Sequence, residues 1–193
     1  MSTALEICQK ACILVGTKPV SSFSGSEPAA QVCNLMYNET VEAILTSKPW
    51  TFAVKQFDIS ANHSATDPLI LWDAKYQIPT DEKALSIVSV YVDDVGAEFD
   101  RFEDSIYLDA TEDNTVVVKL LYKVDEAYWP AYFKVAVIYA MAEVLAISVA
   151  RKEDLIAAIS RKAGMTLADA KLRDSQGRTP QKVNLRRDRN RRS

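Results

Sequence analysis

The segment Lys48-Pro49-Trp50-Thr51-Phe52-Ala53 divides this chain of 193 residues into two kinds of sequence pattern. Before it, apolar side chains recur at helical spacing over residues 3–15 and again over residues 30–45. Gly16 is suited to end the first helix, and Pro28 suits the first turn of the second. The proline of the quoted segment then ends the second helix, because proline cannot continue a helix interior. The segment therefore predicts a boundary between a helical part and the region that follows.

After this boundary the sequence becomes rich in β-branched and aromatic residues, with asparagine, aspartate, glycine and proline between the runs. This composition predicts strands separated by turns. The predicted strands are Thr51–Ile59, Leu69–Ile78, Leu85–Val92, Ser105–Leu108 and Thr115–Val124. Because no helical pattern lies between them, we expect a mainly antiparallel sheet rather than parallel strands joined by crossovers.

The helical pattern returns at Pro130. Residues 135–149 are apolar on nearly every side, which predicts a central helix surrounded by other helices. The apolar stretch is shorter than the ~20 residues that cross a bilayer, so we expect a buried helix and no membrane segment. A last helix is predicted from Lys152 to Ser175. Its narrow apolar stripe comprises Ile156, Ile159, Ala163, Leu167 and Ala170.

Together these patterns predict an α+β fold. Residues 1–50 and 127–177 are expected to form one helical bundle from both chain ends, with a mainly antiparallel β domain inserted at residues 51–126. Residues 178–193 are expected to be a disordered, basic C-terminal tail. That tail has only Val183 and Leu185 as sizeable apolar side chains, too few to offset the entropy of ordering it.

The formal net charge of −3 hides a strong asymmetry along the chain. The tail contains seven basic residues and one acidic residue, whereas residues 93–113 contain nine acidic residues and one arginine. Charges separated in this way suggest interaction surfaces. The acidic surface is predicted to comprise Asp93, Asp94, Glu98, Asp100, Glu103 and Asp104. The tail residues predicted to bind a partner are Arg178, Lys182, Val183, Leu185, Arg186, Arg187, Arg189, Arg191 and Arg192.

The sequence contains few histidine and cysteine residues that could act in catalysis or bind a metal. His63 is the only histidine and lies in a polar segment, which predicts a solvent-exposed loop side chain. Cys8 and Cys12 share a helical face, but no second pair completes a zinc site, so we expect them to pack as small apolar residues. The odd number of cysteines, three, favours a reducing compartment during folding over a disulfide framework.

The acidic segment is the one enzymatic alternative. Paired carboxylates can bind a metal ion for phosphoryl chemistry, and residues 109–114 superficially resemble a calcium loop. However, the spacing and the central glycine of an EF-hand are missing. The five glycines are isolated, so no phosphate-binding loop is predicted. We therefore expect no enzymatic activity, no cofactor and no metal, and we interpret the acids as the solvated face of a sheet.

Two motifs carry a resemblance to a known family: Pro49-Trp50-Thr51-Phe52-Ala53 and Tyr76-Gln77-Ile78-Pro79-Thr80-Asp81. Supporting positions are Leu14-Val15-Gly16, Ser22-Phe23, Ala30, Cys33, Tyr37 and Leu45. Together they resemble the tail tubular protein A family, the adaptor rings beneath the portal of short-tailed bacteriophages. The resemblance covers residues 10–90 well and residues 130–175 in pattern only. The family usually has a basic residue after its second helix and a histidine before the proline–tryptophan pair, where this chain has Thr46-Ser47-Lys48. The acidic segment matches no motif of the family.

The resemblance implies a structural protein of the virion, located in the tail at the portal vertex and synthesised in the host cytoplasm. Twelve copies would form a ring between the portal protein and the tail nozzle protein. DNA would pass through its channel during genome ejection without specific binding. On this basis we expect the acidic surface to face the lumen or the nozzle, and the tail to dock on the portal.

Two further functions stay open from the sequence. A nucleic-acid-binding module could act through the arginine-rich tail, because such tails neutralise phosphates. The other function that stays open is a metal-dependent hydrolase that uses the acidic segment. Base stacking on the aromatic residues near the boundary is disfavoured, since basic residues are sparse there. We expect instead that Trp50 and Phe52 are buried close to Trp129 and Phe133.

Overall fold

The computed structural model describes residues 3–66, 71–79 and 84–177, and within them the chain has a mixed α+β fold. The predicted disorder and partner contacts of the tail, residues 178–193, lie outside the described residues. The four α-helices of the described part are α1 Ala4–Val15, α2 Pro28–Thr46, α3 Ala131–Leu145 and α4 Glu153–Gln176. Its eight strands are β1 Val54–Asp58, β2 His63–Ala65, β3 Ala74–Gln77, β4 Ala84–Val92, β5 Val95–Ala97, β6 Asp100–Phe102, β7 Ser105–Leu108 and β8 Val116–Tyr122.

Local sequence signals set the helix ends. The Thr3 hydroxyl accepts a hydrogen bond from the Glu6 amide at 3.3 Å, which satisfies a free donor at the start of α1. Gly16 ends α1 with φ +75°, a left-handed conformation that suits glycine. Pro28 occupies the first turn of α2. The predicted first two helices are therefore confirmed, within a residue or two at their ends.

Helix α3 contacts α1, α2 and α4, and a short π-helical turn extends it from Ala146 to Ala150. Its fully buried side chains include Phe133, Val137, Met141 and Leu145. By length and composition alone, residues 131–150 could also cross a membrane. The opposite side of α3 is less covered than the sequence predicts, because Val135 is 43% exposed.

The strands form two sheets rather than the single sheet that the sequence predicts. The first has the order β1-β8-β4-β5 and the second the order β2-β3-β7-β6, and every pairing in both is antiparallel. Strands β2, β5 and β6 have three residues each, too short for a periodic pattern to predict them. Residues 51–53 form a 3-10 turn instead of the predicted start of a strand.

Two apolar cores result, and β8 contributes to both. Val116, Val118 and Leu120 are buried in the core between the sheets, where Tyr76 and Ile106 of the second sheet also lie. At the end of β8, Leu121 is buried in the other core, among the helices. Strand β8, one of the two interior strands of the first sheet, therefore connects the two cores.

The aromatic boundary residues pack together as predicted. Trp50 is fully buried, and its indole nitrogen donates to the Ile44 carbonyl at 2.9 Å. The Phe133 ring lies 4.9 Å, centroid to centroid, from each of the rings of Trp50, Phe52 and Trp129, in edge-on arrangements that aromatic pairs favour. Trp129 is also buried, and Phe52 is half-buried.

The substitution Trp50→Ala is expected to lower the free energy of unfolding by about 3–5 kcal/mol, because it removes a buried aromatic side chain and its hydrogen bond. Chemical denaturation followed by circular dichroism measures the change. Tyr128→Ala is the matched control, since this aromatic side chain lies near the same junction but is 76% exposed. Equal effects of the two substitutions would contradict the proposed junction core.

Candidate functional site

The C-terminal end of α4 is fixed by a buried carboxylate. Asp174 is 1% exposed. Its Oδ1 atom accepts hydrogen bonds from the Thr51 amide at 2.9 Å, the Thr51 hydroxyl at 2.6 Å and the Tyr132 hydroxyl at 3.1 Å. Thr51 lies in the turn after Pro49, and Tyr132 lies in the first turn of α3. Asp174 therefore ties α4 to the junction and to α3.

Lys48 completes this site. Its Nζ atom lies 2.8 Å from Asp174 Oδ2 and also donates to the Lys171 carbonyl at 2.8 Å and to the Ser175 hydroxyl at 2.7 Å. The Lys48 side chain is 17% exposed. An ammonium group at this position neutralises the buried carboxylate and also satisfies a carbonyl of the last helical turn. We call Lys48, Thr51, Tyr132 and Asp174 the α4 anchor.

Burial and hydrogen bonding act in opposite directions on Asp174. Burial is the largest single cause and raises the pKa of its carboxyl group. The contacts with Lys48 and the two hydrogen bonds from Thr51 together lower the pKa by more than burial raises it. The pKa therefore lies below the ordinary value, and the group is ionised in the folded protein at neutral pH. Burial is likewise the largest cause that raises the pKa of Tyr132, followed by the charge of Asp174.

The position of the α4 anchor matters because the basic tail follows directly. Asp174 precedes Arg178, the first tail residue, by only one helical turn. The burial of Asp174 was not predicted from the sequence, although a signal was present. The buried stripe of α4 that ends at Ala170 continues four residues later at Asp174, and a carboxylate on a buried stripe needs a partner.

All six residues of the predicted acidic surface are exposed. They do not form one cluster. Asp93 and Asp94 form the turn between β4 and β5, with φ of 48° and 65°. Glu103 and Asp104 form the turn between β6 and β7, where Glu103 has φ 53°. Hydrogen bonds place Asp93 beside the loop that follows β7, whereas Asp104 directly precedes that strand. The two acidic turns therefore lie near opposite ends of β7.

Two of these acids have structural partners that the sequence did not predict. The Asp93 carboxylate accepts from the Asn114 side-chain amide at 2.7 Å and from the Thr115 backbone amide at 2.9 Å. Asp100 accepts from the Trp72 indole nitrogen at 2.9 Å. Asp93 thus connects a turn of the first sheet to the loop before β8. The predicted acidic surface is correct in its exposure, but part of it also stabilises the fold.

The prediction for His63 is wrong, whereas the prediction for Cys8 and Cys12 is confirmed. His63 lies in β2 rather than in a loop, and it is half-buried with its ring 5.5 Å from that of Tyr76, so the prediction of an exposed loop side chain is wrong.

The cysteines Cys8, Cys12 and Cys33 are fully buried, as expected for Cys8 and Cys12. A hydrogen bond with Cys33, and then burial, raise the pKa of the Cys12 thiol, which stays protonated.

Within residues 3–66, 71–79 and 84–177, no group of three or more histidine, cysteine, aspartate or glutamate side chains is arranged to hold a metal ion. No protein-family model and no curated protein matches this chain. The α4 anchor and the acidic turns are therefore the features from which a function can be argued.

The α4 anchor generates a stability prediction. Lys48→Met leaves a buried carboxylate without its cation and is expected to lower the free energy of unfolding by roughly 3 kcal/mol. Asp174→Asn is expected to cost a similar amount, since it removes the same charge pair. The double variant should lose clearly less than the sum of the two, because the pair is broken only once. Denaturant unfolding measures all three, and strict additivity would contradict the direct coupling of Lys48 to Asp174.

The ion pair of Lys48 and Asp174 also predicts how the free energy of unfolding depends on pH. Because the pKa of Asp174 is lower in the folded than in the unfolded chain, its contribution is complete above the unfolded value of about 3.9 and is lost as the pH falls through the folded value. The stability of the wild type should therefore fall more steeply with acid than that of Asp174→Asn. Parallel stability curves for the two proteins below about pH 4 would exclude this contribution.

Proposed function

We propose that this chain is the subunit of a structural ring that joins a phage portal to the tail nozzle and forms part of the DNA channel. The observation that carries the proposal is the α4 anchor, because it gives the basic tail a fixed starting point. A binding segment that starts from a fixed point keeps a high effective concentration at its docking site. The sixteen tail residues could reach at most ~55 Å, which suffices to cross onto a neighbouring protein.

The arrangement of the helices supports such a subunit. We propose that the helices of both chain ends act as one bundle, and that residues 51–126 are the domain inserted into it. In support, α1, α2 and α4 all contact α3, and the junction aromatics join the helices to the first sheet. A subunit of this kind would assemble as a homo-oligomer in the virion, with no enzymatic activity, cofactor or membrane association of its own.

The tail would provide the contact with the portal. Val183 and Leu185 would fill shallow pockets, and the arginines would pair with carboxylates on the portal surface. Ordering the tail would cost about 2–5 kcal/mol per copy. Twelve linked tails offset this cost, because docking of one copy raises the effective concentration of the next. The competing function is sequence-independent DNA binding through the same arginines, which their number favours.

The acidic surface would have a different role. Exposed carboxylates along a channel or nozzle opening repel DNA phosphates through long-range electrostatics. Asp94, Glu98, Glu103 and Asp104 are the members that we assign to this role. Asp93 and Asp100 have structural partners in addition, so substitution of these two would change the fold as well as the charge.

Deletion of residues 178–193 tests the proposed function. We expect the truncated protein to fold normally but to lose binding to purified portal rings, measured by co-sedimentation. A matched variant, Val183→Ser with Leu185→Ser, keeps every charge and should also lose portal binding while its DNA affinity is unchanged. If the truncated protein still joins portal rings and loses only DNA affinity, in a salt-dependent way, the tail binds nucleic acid and the proposed docking of the tail on the portal is rejected.

Neutralisation of the acidic surface tests its role separately. The tail-less protein with Asp94→Asn, Glu98→Gln, Glu103→Gln and Asp104→Asn should bind duplex DNA roughly threefold or more tightly at low salt, because repulsion is removed. The difference should disappear at high salt, where exposed charges are screened. Fluorescence anisotropy measures both affinities. Equal affinity at low salt would leave these acids as a solvated face without a role toward DNA.

A further inference from the structure

Helix α4 has two apolar stripes, although only one of them packs inside the subunit. Ile159, Ala163 and Ala170 on the inner stripe are buried where α4 contacts α3. On the outer side, Met165 is 60% exposed and Leu172 is 59% exposed. These two side chains are seven residues apart, so they lie on the same side of the helix, with the exposed Ala168 between them. We call Met165, Ala168 and Leu172 the outer face of α4.

A second exposed apolar feature lies elsewhere, beside α2. Two shallow pockets with volumes of about 510 and 320 Å³ flank the exposed Asn34 and share Phe23 in their walls. Leu5 lines the first pocket, and Leu35, which is 70% exposed, lines the second. We call Leu5, Phe23, Asn34 and Leu35 the α2 groove. Most other lining residues are polar, with Ser24 and Asn34 in both pockets, so Leu5, Phe23 and Leu35 are the apolar contacts that the groove offers.

The charges around these two features have opposite signs. From residue 161 to residue 173, α4 contains four basic residues and one acidic residue, and that acid, Asp169, pairs with Arg173 at 2.8 Å. Helix α2 contains neither lysine nor arginine, and of its two glutamates Glu42 pairs with Lys123 at 2.9 Å. The Glu27 carboxylate lies over Gly25, which lines the second pocket. The basic side of α4 and the groove beside the Glu27 carboxylate are therefore complementary in charge, and each carries an exposed leucine.

We propose that the outer face of α4 in one copy packs into the α2 groove of a second copy, head to tail. The α4 anchor and the inner stripe hold α4 against α3, so the outer face of a chain cannot turn into its own α2 groove. Because the two surfaces differ, each copy of a pair keeps one of them free, so the contact can repeat, and it closes into a ring where the rotation between copies allows. The inference rests on the proposed function, since it names the contact that such a ring requires.

Two variants test the contact in the full-length protein. Leu172→Asp places a carboxylate on the outer face of α4, opposite the acidic groove, and Leu35→Lys places an ammonium group within the groove, opposite the basic side of α4. The wild type is expected to sediment as species larger than a dimer at about 0.1–1 mM, whereas each variant alone stays monomeric. Ile147→Asp, at a 54% exposed position that belongs to neither surface, is the matched control and should assemble like the wild type.

An equimolar mixture of the two variants gives the decisive measurement. Each variant retains one intact surface, so a head-to-tail contact predicts a mixed dimer and nothing larger by analytical ultracentrifugation and native mass spectrometry. If α4 instead paired with α4, the Leu35→Lys protein would still assemble and the mixture would form no mixed dimer. Either that result or a wild type that is monomeric at about 1 mM overturns the inference.

These outcomes are separate from the fate of the proposed function. A wild-type chain that binds portal rings but never self-associates keeps the adaptor function and rejects this contact. A chain that assembles head to tail but does not bind portal rings keeps the contact and rejects the adaptor.

Discussion

A carboxylate that is removed from water must be paired, and this requirement organises the helical part of the protein. Asp174 is almost completely buried, and its partners come from the end of α2, the turn that follows it and the start of α3. None of these segments is close to α4 in sequence. The network therefore fixes the ends of three helices at one place, where apolar packing alone would permit small shifts along the helix axes.

The aromatic junction next to this network performs a different task. Trp50 and Phe133 fill the space where the helical core meets the first sheet, and the buried indole nitrogens of Trp50 and Trp129 both donate to backbone carbonyls. Apolar packing supplies most of the free energy there, and the hydrogen bonds set the orientation of the rings. The junction and the α4 anchor share the segment from Lys48 to Thr51, which explains why so short a segment dominates the sequence pattern.

The sequence predicted the features that depend on local signals. The ends of α1 and α2 followed from Gly16 and Pro28, and the buried junction followed from a cluster of large aromatic residues. The short strands were missed because three residues hold less than two full periods of alternation. The pairing of Asp174 was missed because its cation, Lys48, lies more than 120 residues away in the chain and no local pattern joins the two. The exposure of the acids was predictable from composition, but the bond from Asp93 to the loop before β8 depends on tertiary structure.

Strand β8 has a consequence for the order in which the protein can form. It lies between β1 and β4 in the first sheet, yet it follows β1 by about sixty residues, so β1 and β4 cannot join one sheet until residue 122 has been synthesised. Both cores need side chains of this strand, and the helical core also needs α3. The N-terminal two helices therefore leave the ribosome long before the surfaces that bury them exist. Contacts of such long sequence separation slow folding, and during that interval the apolar sides of α1 and α2 are open to chaperones.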